Sequence, residues 1–163
     1  MLILSAGAVE HSSPAIERYF DYAEQVLAGS NNPVSDRDVA LEALDEVLSA
    51  SVGRQLVADV PVGNFLSGGI DSSLITAIAQ KRASRPLKTF TIGFSEAGFD
   101  EAVYARQVAK TLGTDHTELY VSAVDALAII PELPTIYDEP FADSSQIPTY
   151  LVSRLARQQV AAL

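Results

Sequence analysis

Apolar residues recur at helical spacing at Val39, Ala43, Leu44, Val47, Leu48 and Val52, and predict an amphipathic helix over about 36–55. Ser35, with Asp38 three positions on, resembles a capping box with Asp in place of Glu. The run Val60-Pro-Val-Gly-Asn-Phe-Leu66 then reads as a strand that ends in the tight turn Ser67-Gly-Gly-Ile-Asp-Ser-Ser73. Leu74, Ile75, Ile78 and Ala79 carry a helix from Ser72 to about Ala83, and Lys88-Thr-Phe-Thr-Ile-Gly-Phe94 is again a strand. Asp100 opens a helix bearing Val103, Val108 and Leu112 and stopped by Gly113, after which His116 to Val121 forms a third strand. Ser122 with Asp125 caps a further helix reaching about Tyr137, which Pro131 and Pro134 shorten or kink. Beyond a turn over 138–145, Ile147, Tyr150, Leu151, Arg154 and Leu155 mark a last helix with Pro148 in its first turn, and Val160 to Leu163 begins a strand.

Strands alternating with helices predict an α/β fold, a mostly parallel sheet with helices on both faces in three α/β/α layers, and ligands beyond the carboxyl ends of the strands. The small polar stretch Ser30 to Ser35 divides the chain into an N-terminal segment, 1–32, and an α/β domain, 33–163. The apolar start, Met1 to Val9, lacks the basic residue of a signal peptide and runs at once into Glu10, so it reads as a small strand or the end of a preceding domain. No apolar run is long enough for a membrane span.

Composition narrows the chemistry. The absence of Cys removes thiol nucleophiles and Cys-ligated metals and fits a reducing, cytoplasmic setting. A net charge of −10 without a basic run argues against nucleic acid as a partner. Two histidines, His11 and His116, offer little to a His-based metal site or triad. Backbone amides, carboxylates and hydroxyls remain.

Those groups converge at Ser67 to Ser73. Gly68 and Gly69 permit a sharp turn and close approach of a ligand, and unpaired amides opening the next helix favour negative charge. Ser67, Ser72 and Ser73 can donate to phosphate oxygens, and Asp71 offers a hard oxygen for the Mg²⁺ that accompanies a nucleotide. A Gly-Gly turn before an ordinary helix cap is the ligand-free alternative. Neither Gly-x-x-x-x-Gly-Lys nor Gly-x-Gly-x-x-Gly occurs.

The loop resembles the Ser-Gly-Gly-x-Asp-Ser signature of the ATP pyrophosphatases. With Val60-Pro-Val-Gly63, Thr89-Phe-Thr-Ile-Gly-Phe94, Gly113-Thr-Asp-His116 and Tyr137-Asp-Glu-Pro-Phe-Ala-Asp-Ser-Ser145, the chain from about Asp36 onward is similar to the synthetase domain of glutamine-hydrolysing asparagine synthetases. The resemblance implies an adenine nucleotide alpha hydrolase-like, Rossmann-like domain using ATP and Mg²⁺. Aspartate would attack the α phosphate, and ammonia would then displace AMP from the acyl-adenylate. It implies that Leu66 and Ile92 meet the adenosine by backbone and packing, that Ser67, Gly68, Gly69 and Ser72 hold pyrophosphate, that Asp71 binds Mg²⁺, and that Asp138 lies near the acyl-adenylate. Its partners are small molecules, neither nucleic acid nor membrane, with a homodimer compatible with a full-length protein.

Three departures qualify the match. The chain has no Cys-bearing glutaminase domain; it ends at Leu163, where the family has a second glycine-rich acidic loop and later helices with a Lys used on the adenylate; and Thr135 stands where family members carry a Glu three positions before the counterpart of Asp138, leaving Glu139 as the candidate base. A fragment is therefore expected. Alternatives are an amidotransferase or β-lactam synthetase-like enzyme with a different carboxylic acid, and a non-catalytic nucleotide-binding module with an open sheet edge near Val160.

Overall fold

The computed structural model describes residues 2–3, 15–16, 18–94, 101–139 and 143–163. They fall into two units, Met1–Ala43 and Leu44–Leu163. In the first, β1 (Leu2–Ile3) pairs antiparallel with β2 (Ala15–Ile16). Helix α1 (Tyr22–Asn31) starts where the Asp21 carboxylate accepts from the amides of Ala23 and Glu24, at 2.9 and 3.4 Å. It buries none of its residues, which is why its sequence carries no helical stripe.

Helix α2 (Arg37–Gln55) begins in this unit and continues into the second. Its cap is Asp36 and not Ser35: the Asp36 carboxylate accepts from Asp38 N at 2.8 Å and Val39 N at 3.1 Å. A carboxylate is the stronger acceptor for helix-terminal amides, and here it also complements the dipole.

In the second unit β3 (Gly63–Phe65) leads into α3 (Ile70–Arg82), β4 (Lys88–Phe94) into α4 (Ala102–Leu112), and β5 (Asp115–Val121) into α5 (Ala123–Ile129). A 3₁₀ turn over Ile130–Glu132, the short α6 (Leu133–Ile136) and α7 (Gln146–Ala156) follow. The proline break expected after Ser122 is seen, with Pro131 in the 3₁₀ turn and Pro134 at the start of α6. Ser122 and Asp125 form a reciprocal capping box on α5. β3 is shorter than expected: Pro61 has no N–H to give a ladder and contributes its carbonyl, which accepts from Ala161 and Ala162.

The sheet is parallel, in the order β3-β4-β5. Successive side chains of β4 point to opposite faces. Phe90, fully buried, and Ile92 pack on Val152, Leu155 and Ala156 of α7, while Leu66 after β3 packs on Ala105 and Ala109 of α4. Burial of a side chain such as Phe90 contributes about 2–3 kcal/mol. On the α4 side α3 is anchored by Ile78 and Ala79 against Val52 of α2 and Leu87, and on the other face Val121, Ile129 and Leu151 join β5, α5 and α7. The result is helix, sheet and helix in three layers.

Val62 pairs in parallel with Ala162, and Gly63 N donates to Ala162 O at 3.0 Å. The chain therefore steps from β3 through β4 to β5 in one direction and then returns to the far side of β3. The order reverses at β3, the strand that feeds the Ser67 to Ser73 loop. Such a reversal opens a crevice at the carboxyl ends of the strands.

Candidate functional site

Leu66 ends β3's path through the core: it is 1% exposed and its amide donates to Phe90 O at 2.9 Å. The next residue starts the turn. The Ser67 and Ser72 hydroxyl oxygens lie 2.9 Å apart, Ser67 N donates to Ser72 Oγ at 3.3 Å, and Gly69 N donates to Ser67 Oγ at 3.3 Å. These bonds tie the two ends of the turn together. Gly68 takes a left-handed φ of +79°, and a Cβ there would sit 2.6 Å from Ala105 N and 2.7 Å from the Tyr104 Cβ of α4. Only glycine supplies both the conformation and the clearance.

Gly69 is the N-cap of α3, in extended conformation and without a side-chain capping bond. The helix thus begins at Ile70, two residues earlier than the apolar pattern suggests, because Ile70 is 87% exposed and lies off the buried stripe. The amides of Ile70, Asp71 and Ser72 precede the first intrahelical bond, Ser73 N to Gly69 O. They form a positive helix end with Asp71 exposed beside it.

A cleft of about 920 Å³ opens at this point. Its walls are Phe65, Leu66, Phe90, Ile92 and Phe94 from the sheet, Ala123, Ala126 and Leu127 from α5, and Pro148, Thr149 and Val152 from α7. Ser67 and Ser72 line it at the loop, and Thr91 and Glu101 complete it. An apolar chamber of this size joined to a hydroxyl-bearing turn and a helix N-terminus suits a ligand with a flat apolar part and an anionic part.

Of the expected nucleotide contacts, Leu66, Ser67, Ser72 and Ile92 therefore share one cleft. Gly68 and Gly69 shape the turn, and Asp71 faces solvent on the first turn of α3. Asp138 and Glu139 do not line the cleft; both are exposed on the bend after α6. Tyr137 is held by its hydroxyl, which donates to Gln146 O at 3.1 Å. Asp143 accepts from Ser145 N at 2.8 Å, and the Ser145 amide and hydroxyl hold its carboxyl below the usual carboxylate range. Asp100 and the stretch 140–142 lie outside the described residues. Among the described residues no group of three His, Asp or Glu side chains could hold a metal by itself.

Glu101 was not legible as a wall of this cleft, since the sequence signal there, an acidic residue opening a helix, is shared by many helices. His116 belongs to a different network, between β5 and α4. Its Nδ1 lies 2.9 Å from Thr89 Oγ1, which also lies 2.9 Å from Thr114 Oγ1. Burial lowers the His116 pKa; Glu118, with Oε1 3.7 Å from Nε2, opposes that shift, and Arg106 adds to it. Arg106 in turn pairs with Glu118 and holds that carboxyl below its ordinary range. This is packing between α4 and β5, and neither His116, Glu118 nor Arg106 lines the cleft.

Comparison with known proteins gives a consistent set. The Asparagine synthase family matches residues 43–163. A Mycobacterium tuberculosis (strain ATCC 25618 / H37Rv) protein assigned to the glutamine-hydrolysing asparagine synthetases is 41% identical over 150 residues, which is 91% of this chain and 22% of that protein. Asparagine synthetase (glutamine-hydrolysing) 1 of Bacillus subtilis (strain 168) is 36% identical over 126 residues, 77% of this chain and 20% of its own length. Asparagine synthetase B of Escherichia coli (strain K12) is 33% identical over 153 residues, 83% and 25% respectively. The chain thus spans between a fifth and a quarter of the length of these relatives. An NH3-dependent NAD synthetase from Campylobacter jejuni subsp. jejuni NCTC 11168 is similar in structure at 12% identity and a TM-score of 0.49, over 72% of this chain and 52% of that one, too slight a likeness to carry an argument.

Proposed function

Because the chain belongs to the asparagine synthase family, we propose that its cleft binds ATP and serves ATP-dependent amide formation, with aspartate as the acid and ammonia as the nitrogen donor. The observation that carries this reading is the joining of the Ser67–Ser72 hydroxyl pair and the open N-terminus of α3 to the apolar cleft past Ile92, at the strand where the sheet order reverses. In this reading adenine lies against Leu66 and Ile92, and the β and γ phosphates meet the hydroxyls of Ser67 and Ser72 and the amides around Gly69.

An aspartate side-chain oxygen attacks the α phosphorus, the bond to the bridging oxygen of pyrophosphate breaks, and aspartyl-AMP forms. Ammonia then attacks the acyl carbon, AMP leaves with the former carboxylate oxygen, and nitrogen loses a proton. The carboxylate alone is a poor acyl donor; adenylation turns its oxygen into a good leaving group. Charge building on pyrophosphate is met by preorganised amides and hydroxyls. Asp71 fits a role in holding Mg²⁺, since that ion is commonly bound by one or two carboxylates plus phosphate oxygens and water. Mg²⁺ would supply charge neutralisation on the phosphates. Asp138 and Glu139, exposed after α6, are the proposed groups on the acyl side, with Glu139 as base.

Calorimetric titration of Mg·ATP into the chain and into Gly69→Val tests this. Gly69 has φ −70°, a backbone conformation open to any residue, and valine there puts its bulk beside Ser67 Oγ, 3.3 Å from the new Cβ. Binding should weaken about tenfold or more, the loss of a charge-assisted hydrogen bond, with the circular dichroism spectrum unchanged. Equal binding by both proteins, or none by the folded parent, would overturn the reading.

A further inference from the structure

Among the described residues lining the cleft, Glu101 alone is ionisable. It occupies the N-cap position of α4, yet its side chain makes no capping bond; its carbonyl does the structural work, accepting from the amides of Tyr104 and Ala105 at 3.1 Å each. No described residue hydrogen-bonds to or ion-pairs with its carboxylate. The turn that carries it is fixed against the loop, because Tyr104 and Ala105 are the residues that crowd Gly68. Glu101 is exposed, so its backbone sets an unpaired carboxylate at the solvent-facing side of an apolar cleft, where it does not help the fold.

We propose that Glu101 is the ribose-reading residue of this cleft, its carboxylate accepting hydrogen bonds from the sugar hydroxyls of the nucleotide. The inference rests on the nucleotide reading above. An anion on this wall repels phosphate and has no use for an apolar base, so the part of a nucleotide it can favour is the one that presents neutral O–H donors. A chemical parallel exists in dinucleotide-binding sheets of a different fingerprint, where an acidic residue about 20 positions after the glycine loop accepts from a ribose hydroxyl. Here β4 is the neighbour of β3, and Phe94, its last residue, lines the cleft together with Glu101.

The test is calorimetric titration of ATP, 2′-deoxy-ATP and 3′-deoxy-ATP, each with Mg²⁺, into the parent chain, Glu101→Ala and Glu101→Gln, with circular dichroism on all three proteins. The parent should prefer ATP about tenfold over at least one deoxy analogue. That preference should vanish in Glu101→Ala and be reduced in Glu101→Gln, which keeps an acceptor but not its charge. Equal affinity of the parent for all three nucleotides, or a preference that survives Glu101→Ala, overturns the ribose assignment while leaving the cleft a nucleotide site. A folded parent that binds none of them overturns the nucleotide reading, and the assignment falls with it.

Discussion

Two glycines stand at the two ends of α4 in nearly the same backbone conformation. Gly68, against its first turn, has φ +79°, and Gly113, its C-cap, has φ +71°. Their surroundings are opposite. A Cβ on Gly68 would strike the backbone and side chain of Tyr104 and the amide of Ala105, whereas one on Gly113 would meet nothing within 4 Å. At Gly113 the glycine only ends a helix, its amide donating to Ala109 O at 2.9 Å. At Gly68 it lets a loop press on a neighbouring helix, so the cleft's turn and α4 cannot move independently. Identical dihedral angles thus conceal different tasks, and only the contacts separate them.

The comparison is most directly broken by Gly68→Ala, which combines left-handed strain with a collision against main chain; a stability loss of about 3 kcal/mol is expected, read from the midpoint of denaturant unfolding. Nucleotide affinity should fall with it. Gly113→Ala meets strain alone and should cost about 1 kcal/mol. Equal losses at the two positions would mean that packing on α4 does not set the loop.

A smaller effect distinguishes what holds the Gly113 end, where Thr114 and His116 share the Thr89 hydroxyl. Burial lowers the His116 pKa from an unfolded value near 6.5. The folded state therefore binds fewer protons than the unfolded one in this range. The stability tied to neutral His116 is complete above the unfolded pKa and declines as pH falls through it toward the lower folded value, below which it levels off. Unfolding midpoints at about pH 8 and pH 5.5 should differ more for the parent than for His116→Asn. The penalty of Gly68→Ala, set by main-chain atoms and the Tyr104 Cβ, should not change between those conditions.

The regular parts of the second unit are readable from apolar patterning, although the stripe expected on α2 is not a buried face: Val39, Leu44 and Val47 are exposed and only Val52 is buried. Lys88 to Phe94 alternates its side chains toward two helical layers, and the run in the sequence and the observed strand share both ends. Ser122 with Asp125, Pro131 and Gly113 each act through local backbone chemistry, and each is found in the expected role. Features that depend on exposed residues were less visible. Helix α1 buries nothing, Ile70 sits in the first turn of α3 facing solvent, and Asp36 competes with Ser35 for one cap. In the cleft, Ser67 and Ser72 are legible from a contiguous loop, whereas Leu66 and Ile92 follow only from the family resemblance. Glu101 follows from neither, since its membership in the cleft depends on how α4 is set against Gly68. The walls from α5 and α7 escaped for a similar reason: Leu127 and Val152 look like ordinary core residues until the sheet is assembled.

The pairing of Val62 with Ala162 has a kinetic consequence. The units β3-α3-β4 and β4-α4-β5 join neighbours in sequence, whereas α7 must cross back over β4 before the chain can reach the outer side of β3. Loop closure over that span is slow relative to the local crossovers. The loop hydroxyls are therefore expected to be in position early in folding, and the cleft beside them to be completed last, by the final packing event of the domain.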